Sequence, residues 1–134
     1  MKNLIITIEK TGTGLSAYAG DYPGIATVAG NFSELKENIS EVIEAETDYL
    51  LEKGMKKEAK DLKNSTIEYA VDFNQFFEYF SMINKTEFAK YIGINPSLFR
   101  QYTKGIVPVS DRRMAEIEKG IHKLAKDLSE ISFV

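Results

Sequence analysis

The sequence predicts an α+β protein in two parts. The first part is expected to hold a three- to four-stranded antiparallel sheet with one long packing helix, and the second part is expected to be all-α. Three observations support this. Short alternating apolar runs separated by glycine turns fill the first thirty positions, one long segment of helical period follows, and the apolar spacing after residue 72 is helical.

The strands are predicted from residues that alternate between apolar and polar. Leu4, Ile6 and Ile8 recur at period two and indicate a strand over residues 3–10. Runs at 15–19 and 25–29 follow, separated from each other by Gly-Asp-Tyr-Pro-Gly at 20–24, which is strong turn chemistry. We therefore expect an antiparallel meander of three strands, and residues 66–71 alternate again as a fourth.

A long helix is predicted between the third and fourth strands, with Ser33 as its N-cap and its end near Lys53. One side of this helix is apolar and suits packing on a sheet. Another side carries a row that we call the acidic stripe: Glu34, Glu37, Glu41, Glu44 and Asp48. Such a row is usually a solvated surface, and it also suits docking of a basic protein. A metal site needs ligands from several elements, so none is expected here.

The second part contains two short helices that meet at a turn. Asn84 is expected to cap the first, Gly93 suits a turn with positive φ, and Asn95 with Pro96 suits the start of the second. Ala89 is small where the two helices would cross. This pattern over residues 85–104 predicts a helix-turn-helix, and the alternative is two ordinary helices of a small bundle. The predicted domains are then 1–71, a Phe-rich helical junction at 72–83, and 84–134.

The outward side of the second helix is polar and suits contact with double-stranded DNA. It would present Ser97, Arg100, Gln101 and Lys104, which donate to base edges and phosphates. Lys85, Arg112 and Arg113 are expected to touch the DNA backbone. Residues 1–73 hold 8 lysines and 13 acidic residues, a net −5, whereas residues 74–134 hold 9 basic and 7 acidic residues, a net +2. The predicted DNA-binding helix-turn-helix therefore lies in the basic half of the chain.

The last helix is expected to begin after Ser110 and to carry an apolar seam. Its apolar residues alternate steps of three and four: Met114, Ile117, Ile121, Leu124, Leu128 and Ile131. This seam suits packing inside the domain or pairing of two chains. Because helix-turn-helix readers bind two half-sites as symmetric dimers, we expect a homodimer or a higher even-numbered oligomer through this domain.

Little in the sequence suggests catalysis. There is no cysteine, and His122 is the only histidine, so no nucleophile with a base can be assembled from the usual sets. Gly12-Thr13-Gly14 lacks the following helix and lysine of a phosphate loop and is predicted to be a hairpin turn. We expect no enzyme activity and no cofactor. The first residues lack the apolar core of a secretory signal and no membrane span is present, so a cytoplasmic location is expected.

Residues 14–50 contain an Asp-x-Pro-Gly turn, a Thr-x-x-Gly strand end and an acidic helix start before an asparagine. These places are held by Asp21, Pro23, Gly24, Thr27, Gly30, Glu34 and Asn38. The pattern and the order of elements resemble the HicB antitoxin family. Many members of that family carry a C-terminal DNA-binding module. The sequence departs from the family at Leu35 and Lys36, where small residues are usual, and at Tyr22 in the turn.

The resemblance implies a degenerate ribonuclease-H-like first domain and a partner that is a small basic mRNA-cleaving toxin, similar to HicA. It also implies repression of the chain's own operon through operator DNA. On this hypothesis the toxin would contact Asp21, Tyr22 and Pro23 together with Glu37, Glu41 and Glu44 of the acidic stripe. The alternative is a helix-turn-helix repressor that responds to a small ligand and has no toxin partner.

Overall fold

Four strands and two helices make up the first part of the chain. A computed structural model describes residues 3–134, and the elements of this part are β1 (Asn3–Lys10), β2 (Leu15–Ala19), β3 (Tyr22–Ala29), α1 (Phe32–Glu52), α2 (Lys56–Lys63) and β4 (Thr66–Val71). Met1 and Lys2, the first two residues of the segment for which no secretory signal is predicted, lie outside the described residues. The predicted α+β class is confirmed.

The sheet has the order β3-β2-β1-β4 and is mixed, so the prediction of an antiparallel sheet is wrong for its last strand. β1 pairs antiparallel with β2, and β2 pairs antiparallel with β3. β4 runs parallel to β1, with Leu4 opposite Ile67 and Ile8 opposite Val71. Short turns produce antiparallel neighbours, whereas the two helices between β3 and β4 form a long crossover that permits a parallel pair.

β3 begins three residues earlier than predicted and contains an irregularity. Ala19 pairs with Tyr22, but Tyr18 pairs with Ala26, so residues 23–25 bulge out of the ladder. Pro23 has no backbone N–H and is well suited to such a position. The turn between β2 and β3 is therefore only Gly20 and Asp21, shorter than the predicted five residues.

The N-cap of α1 is Asn31 rather than the predicted Ser33. The Asn31 side chain accepts a hydrogen bond of 2.9 Å from the Glu34 backbone N–H, and the Glu34 carboxylate accepts one of 3.1 Å from the Gly30 N–H. This reciprocal arrangement satisfies two donors at the helix start, which a cap at Ser33 would not do. The core of this unit comes from the sheet and helices together: Leu4, Ile6, Ile8, Leu15, Ile25, Leu35, Ile39, Leu50 and Leu62 are buried.

The second part consists of helices, and the chain divides into two compact units after Gln75. Its elements are α3 (Phe73–Tyr79), which spans the division, α4 (Lys85–Ile92), α5 (Pro96–Thr103) and α6 (Asp111–Ser129). Its core is aromatic: the Phe77 ring centroid lies 5.3 Å from that of Phe99 and 6.1 Å from that of Phe88, and Phe88 lies 5.7 Å from Phe99. In residues 3–134 we find no helix that could cross a membrane.

Candidate nucleic-acid interface

The turn between α4 and α5 fixes the position of α5. Gly93 adopts φ 76°, the left-handed conformation that glycine takes without strain, and the Ile94 N–H bonds back to the Ala89 carbonyl at 2.9 Å. Asn95 then caps α5, since its side chain accepts from the N–H groups of Ser97 at 2.9 Å and Leu98 at 3.2 Å. The turn predicted at Gly93 and the caps predicted at Asn84 and Asn95 are confirmed, and Asn84 accepts from the Glu87 N–H at 2.9 Å.

α5 has one buried and one exposed side. Phe99 and Tyr102 are buried in the unit. The opposite side is exposed and carries a row that we call the polar row: Ser97, Arg100, Gln101 and Lys104. Because residues three, four and seven apart share one side of a helix, these four side chains lie along a single strip. The strip holds two cations and no carboxylate.

Arg100 is tied to the preceding helix by a contact that the sequence did not reveal. Its guanidinium Nη1 donates to the Thr86 hydroxyl at 2.9 Å. Thr86 lies in the first turn of α4, fourteen residues before Arg100, and no local pattern connects the two positions. The bond uses one of the five guanidinium donors and restricts the side chain, while the residue remains exposed.

The three side chains predicted to contact the DNA backbone differ in exposure and in the bonds that they already form within the protein. Arg112 is 92% exposed and forms only a loose ion pair of 3.6 Å with Glu116. Arg113 donates to the same carboxylate at 3.0 Å and also bonds to Tyr102, and these hydrogen bonds, with that to Tyr102 the largest effect, raise the pKa of its guanidinium. Arg113 therefore already links α6 to α5. Lys85, in the first turn of α4, is half-buried.

A shallow depression lies at the start of α6. It is lined by Ser110, Arg112, Arg113 and Glu116. Ser110 caps the helix by accepting from the Arg113 N–H at 3.2 Å, as predicted. The two guanidinium groups are favourable to a phosphate, while the carboxylate between them opposes one. A phosphate would be expected to bind here more readily through Arg112 than through Arg113.

Comparison with known proteins gives no relative to guide the assignment. No protein-family model, curated protein or solved structure matches this chain. In the described part of the chain, no group of three or more acidic or histidine residues is arranged to hold a metal ion.

The acidic stripe of α1 is exposed along its length, including Glu37, Glu41 and Glu44. Glu34 bonds to the backbone of Gly30, and the ion pairs found within residues 3–134 involve none of the five carboxylates. Like charges three and four residues apart repel one another on a helix. The stripe is consequently a strongly negative surface, and none of its carboxylates forms an ion pair with another described residue.

The other three residues predicted to contact the toxin lie at a different side of α1. Asp21 and Pro23 are exposed at the hairpin between β2 and β3, and Tyr22 is half-buried there. The bulge at residues 23–25 lies against Glu46, because a Cβ added at Gly24 would meet the Glu46 carboxylate. Glu46 is two residues from Glu44 and so about 200° around the helix from it. The structure does not bring the hairpin and the acidic stripe onto one face.

Proposed function

We propose that this chain is an antitoxin of the HicB type, which neutralises a small basic mRNA-cleaving toxin and represses its own operon by binding operator DNA. The DNA-binding part of this proposal rests on the exposed polar row of α5, a helix that a capped turn holds against α4. We interpret α4 and α5 as a helix-turn-helix in which α5 is the recognition helix. The toxin-binding half is supported by the acidic stripe, whose carboxylates form no ion pair among residues 3–134, and by the HicB-like residues around Asp21.

The residue types of the polar row suit the major groove of DNA. Arg100 is assigned to a guanine, whose O6 and N7 accept two hydrogen bonds from one guanidinium, and Gln101 to an adenine. Ser97 at the start of α5 and Lys104 at its end are assigned to phosphates and base edges. The Thr86 bond restricts Arg100 before DNA arrives, which lowers the entropy lost on binding.

Arg100→Ala tests whether Arg100 on α5 recognises a base. If Arg100 reads a base, the substitution should weaken operator binding by about 1–3 kcal/mol and relax preference at one base pair. Lys119→Ala is the matched control, because it removes an exposed cation of α6 that has no place in the polar row. Binding is measured by fluorescence anisotropy against operator and random duplexes at fixed salt. Equal behaviour of Arg100→Ala and the wild type on both duplexes would remove Arg100 from the interface.

The toxin-binding half is tested with the product of a small basic reading frame encoded beside this chain. Changing Glu37, Glu41 and Glu44 to glutamine removes three charges from the acidic stripe, and affinity for that product should fall most at low salt. The control makes the same change in charge elsewhere on the unit, with Glu9→Gln, Glu58→Gln and Asp61→Asn. If both triple variants bind equally well, the stripe is not part of the interface.

Gene neighbourhood separates the two candidate functions. An antitoxin is expected beside a small basic reading frame whose product copurifies with it. Absence of such a frame, together with operator binding that a small molecule changes, would favour a ligand-responsive repressor without a toxin.

A further inference from the structure

The two edges of the sheet are protected to different degrees. The β3 edge contains Pro23 and a three-residue bulge, both of which hinder pairing with another strand. β4, at the opposite edge, has the sequence Thr-Ile-Glu-Tyr-Ala-Val, without proline, lysine or a break in its register with β1. β-Branched and aromatic residues make it a good strand former. β4 is thus the edge that remains suited to pairing.

Apolar side chains on β4 are incompletely covered. Ile67 and Val71 lie opposite the buried Leu4 and Ile8, so they share the α1 side of the sheet. Each is nevertheless 37% exposed. Between them Tyr69 packs its ring against Phe32 of α1, with centroids 5.2 Å apart. A further strand alongside β4 would cover the apolar border formed by Ile67, Tyr69 and Val71.

The strand is complementary to itself in one antiparallel register. When the two-fold axis passes through Tyr69, Ile67 lies opposite Val71 of the partner subunit, and Glu68 lies opposite Ala70 of the partner subunit. Moving the axis to Glu68 would place two glutamates opposite each other, which is unfavourable. The register centred on Tyr69 therefore pairs apolar side chains with each other and also keeps the two glutamates apart.

We propose that β4 pairs with β4 of a second copy of this chain in this register, forming a continuous eight-stranded sheet. Antiparallel pairing of identical edges requires a two-fold axis perpendicular to the sheet. That axis keeps the α1 helices of both copies on the same side, and both acidic stripes face the same way. This contact is distinct from any pairing through α6, and it is independent of the proposed binding of toxin or DNA.

Two charge variants test the pairing and its register. Ile67→Lys with Val71→Lys places lysines opposite each other twice, and self-association should weaken at least about tenfold, since like charges at an interface are costly. Ile67→Lys with Val71→Glu places opposite charges in the same positions and should associate much more strongly than the double-lysine variant. Sedimentation velocity of the full chain measures the self-association of both variants. Each variant is measured in the wild-type background and again with Leu128→Glu, a substitution in the exposed part of the α6 seam.

Circular dichroism and urea unfolding verify that both variants fold. Equal association of the two charge variants, whether strong or weak, would overturn the proposed register and pairing. The proposed β4 pairing would also be overturned if Leu128→Glu alone abolished all self-association of the otherwise wild-type chain. Operator binding by Arg100→Ala reports on the proposed function separately, because Arg100 lies in the other unit.

Discussion

At the scale of single residues, two glycines of one turn have different constraints. A Cβ added at Gly14 would meet the backbone oxygen of Ala29 and would lie 3.0 Å from the Gly30 Cα, whereas one at Gly12 would have nothing within 4 Å. The sequence identified both as turn residues. It could not show which was irreplaceable, because the close approach of Ala29 comes from the pairing of β2 with β3 and not from the turn itself.

Gly14→Ala should therefore lower the free energy of unfolding by about 2 kcal/mol or more, since rigid backbone on the other side cannot move aside cheaply. Gly12→Ala should change it by less than about 0.5 kcal/mol, as for an open surface position. Urea denaturation followed by circular dichroism measures both. Similar losses at the two glycines would contradict this explanation.

At the scale of elements, N-caps were more predictable than strand direction or helix crossings. Asn84, Asn95 and Ser110 cap their helices as expected because a cap is a local hydrogen bond, although α1 shows that a neighbouring asparagine can displace a predicted serine. The direction of β4 depends on a crossover of more than thirty residues, which period-two alternation cannot report. α6 ends at Ser129, so Ile131 of the predicted seam lies beyond the helix.

The crossing of α4 and α6 depends on Gly120, which the seam pattern did not identify. A Cβ there would meet the Ile92 Cγ2 methyl and lie 3.7 Å from the Phe88 ring. Gly120→Ala should gain about 1 kcal/mol in helix propensity but lose about 1–3 kcal/mol to overpacking, giving net destabilisation.

Ile92→Leu moves the branch that blocks this space while keeping the volume of the side chain. In that background Gly120→Ala should cost less, with a coupling energy of about 1 kcal/mol in a double-mutant cycle of thermal or urea unfolding. Additive effects of the two substitutions would mean that the two side chains do not compete for the same space.

At the scale of the whole molecule, the two units differ in charge and in the chemistry of their surfaces. The first 73 residues carry a net −5 and the remainder a net +2, and the acidic stripe and polar row are the exposed extremes of this difference. Both rows could be found from helical spacing alone. The contacts that restrain Arg100 and Arg113 could not be predicted in this way, because Thr86 and Tyr102 lie on other helices and come close to the two arginines only in the folded unit.

The apolar seam of α6 is divided between packing and exposure. Ile117 is buried within the unit, whereas Leu128 and Ile131 are 61% and 63% exposed. A seam that continues past the body of its own unit is well suited to cover a second copy, and such a dimer would present two copies of α5, the recognition helix that we propose, to two half-sites of an operator.

If two chains pair through α6 as we propose, Leu128→Glu should shift that dimer toward monomer and weaken operator binding at least about tenfold, since each half-site would then be bound separately. Lys126→Glu introduces the same acid about 200° around the helix and should leave the sedimentation coefficient unchanged. If Leu128→Glu keeps the wild-type association in a background where β4 carries the double-lysine change, the seam is not a dimer contact.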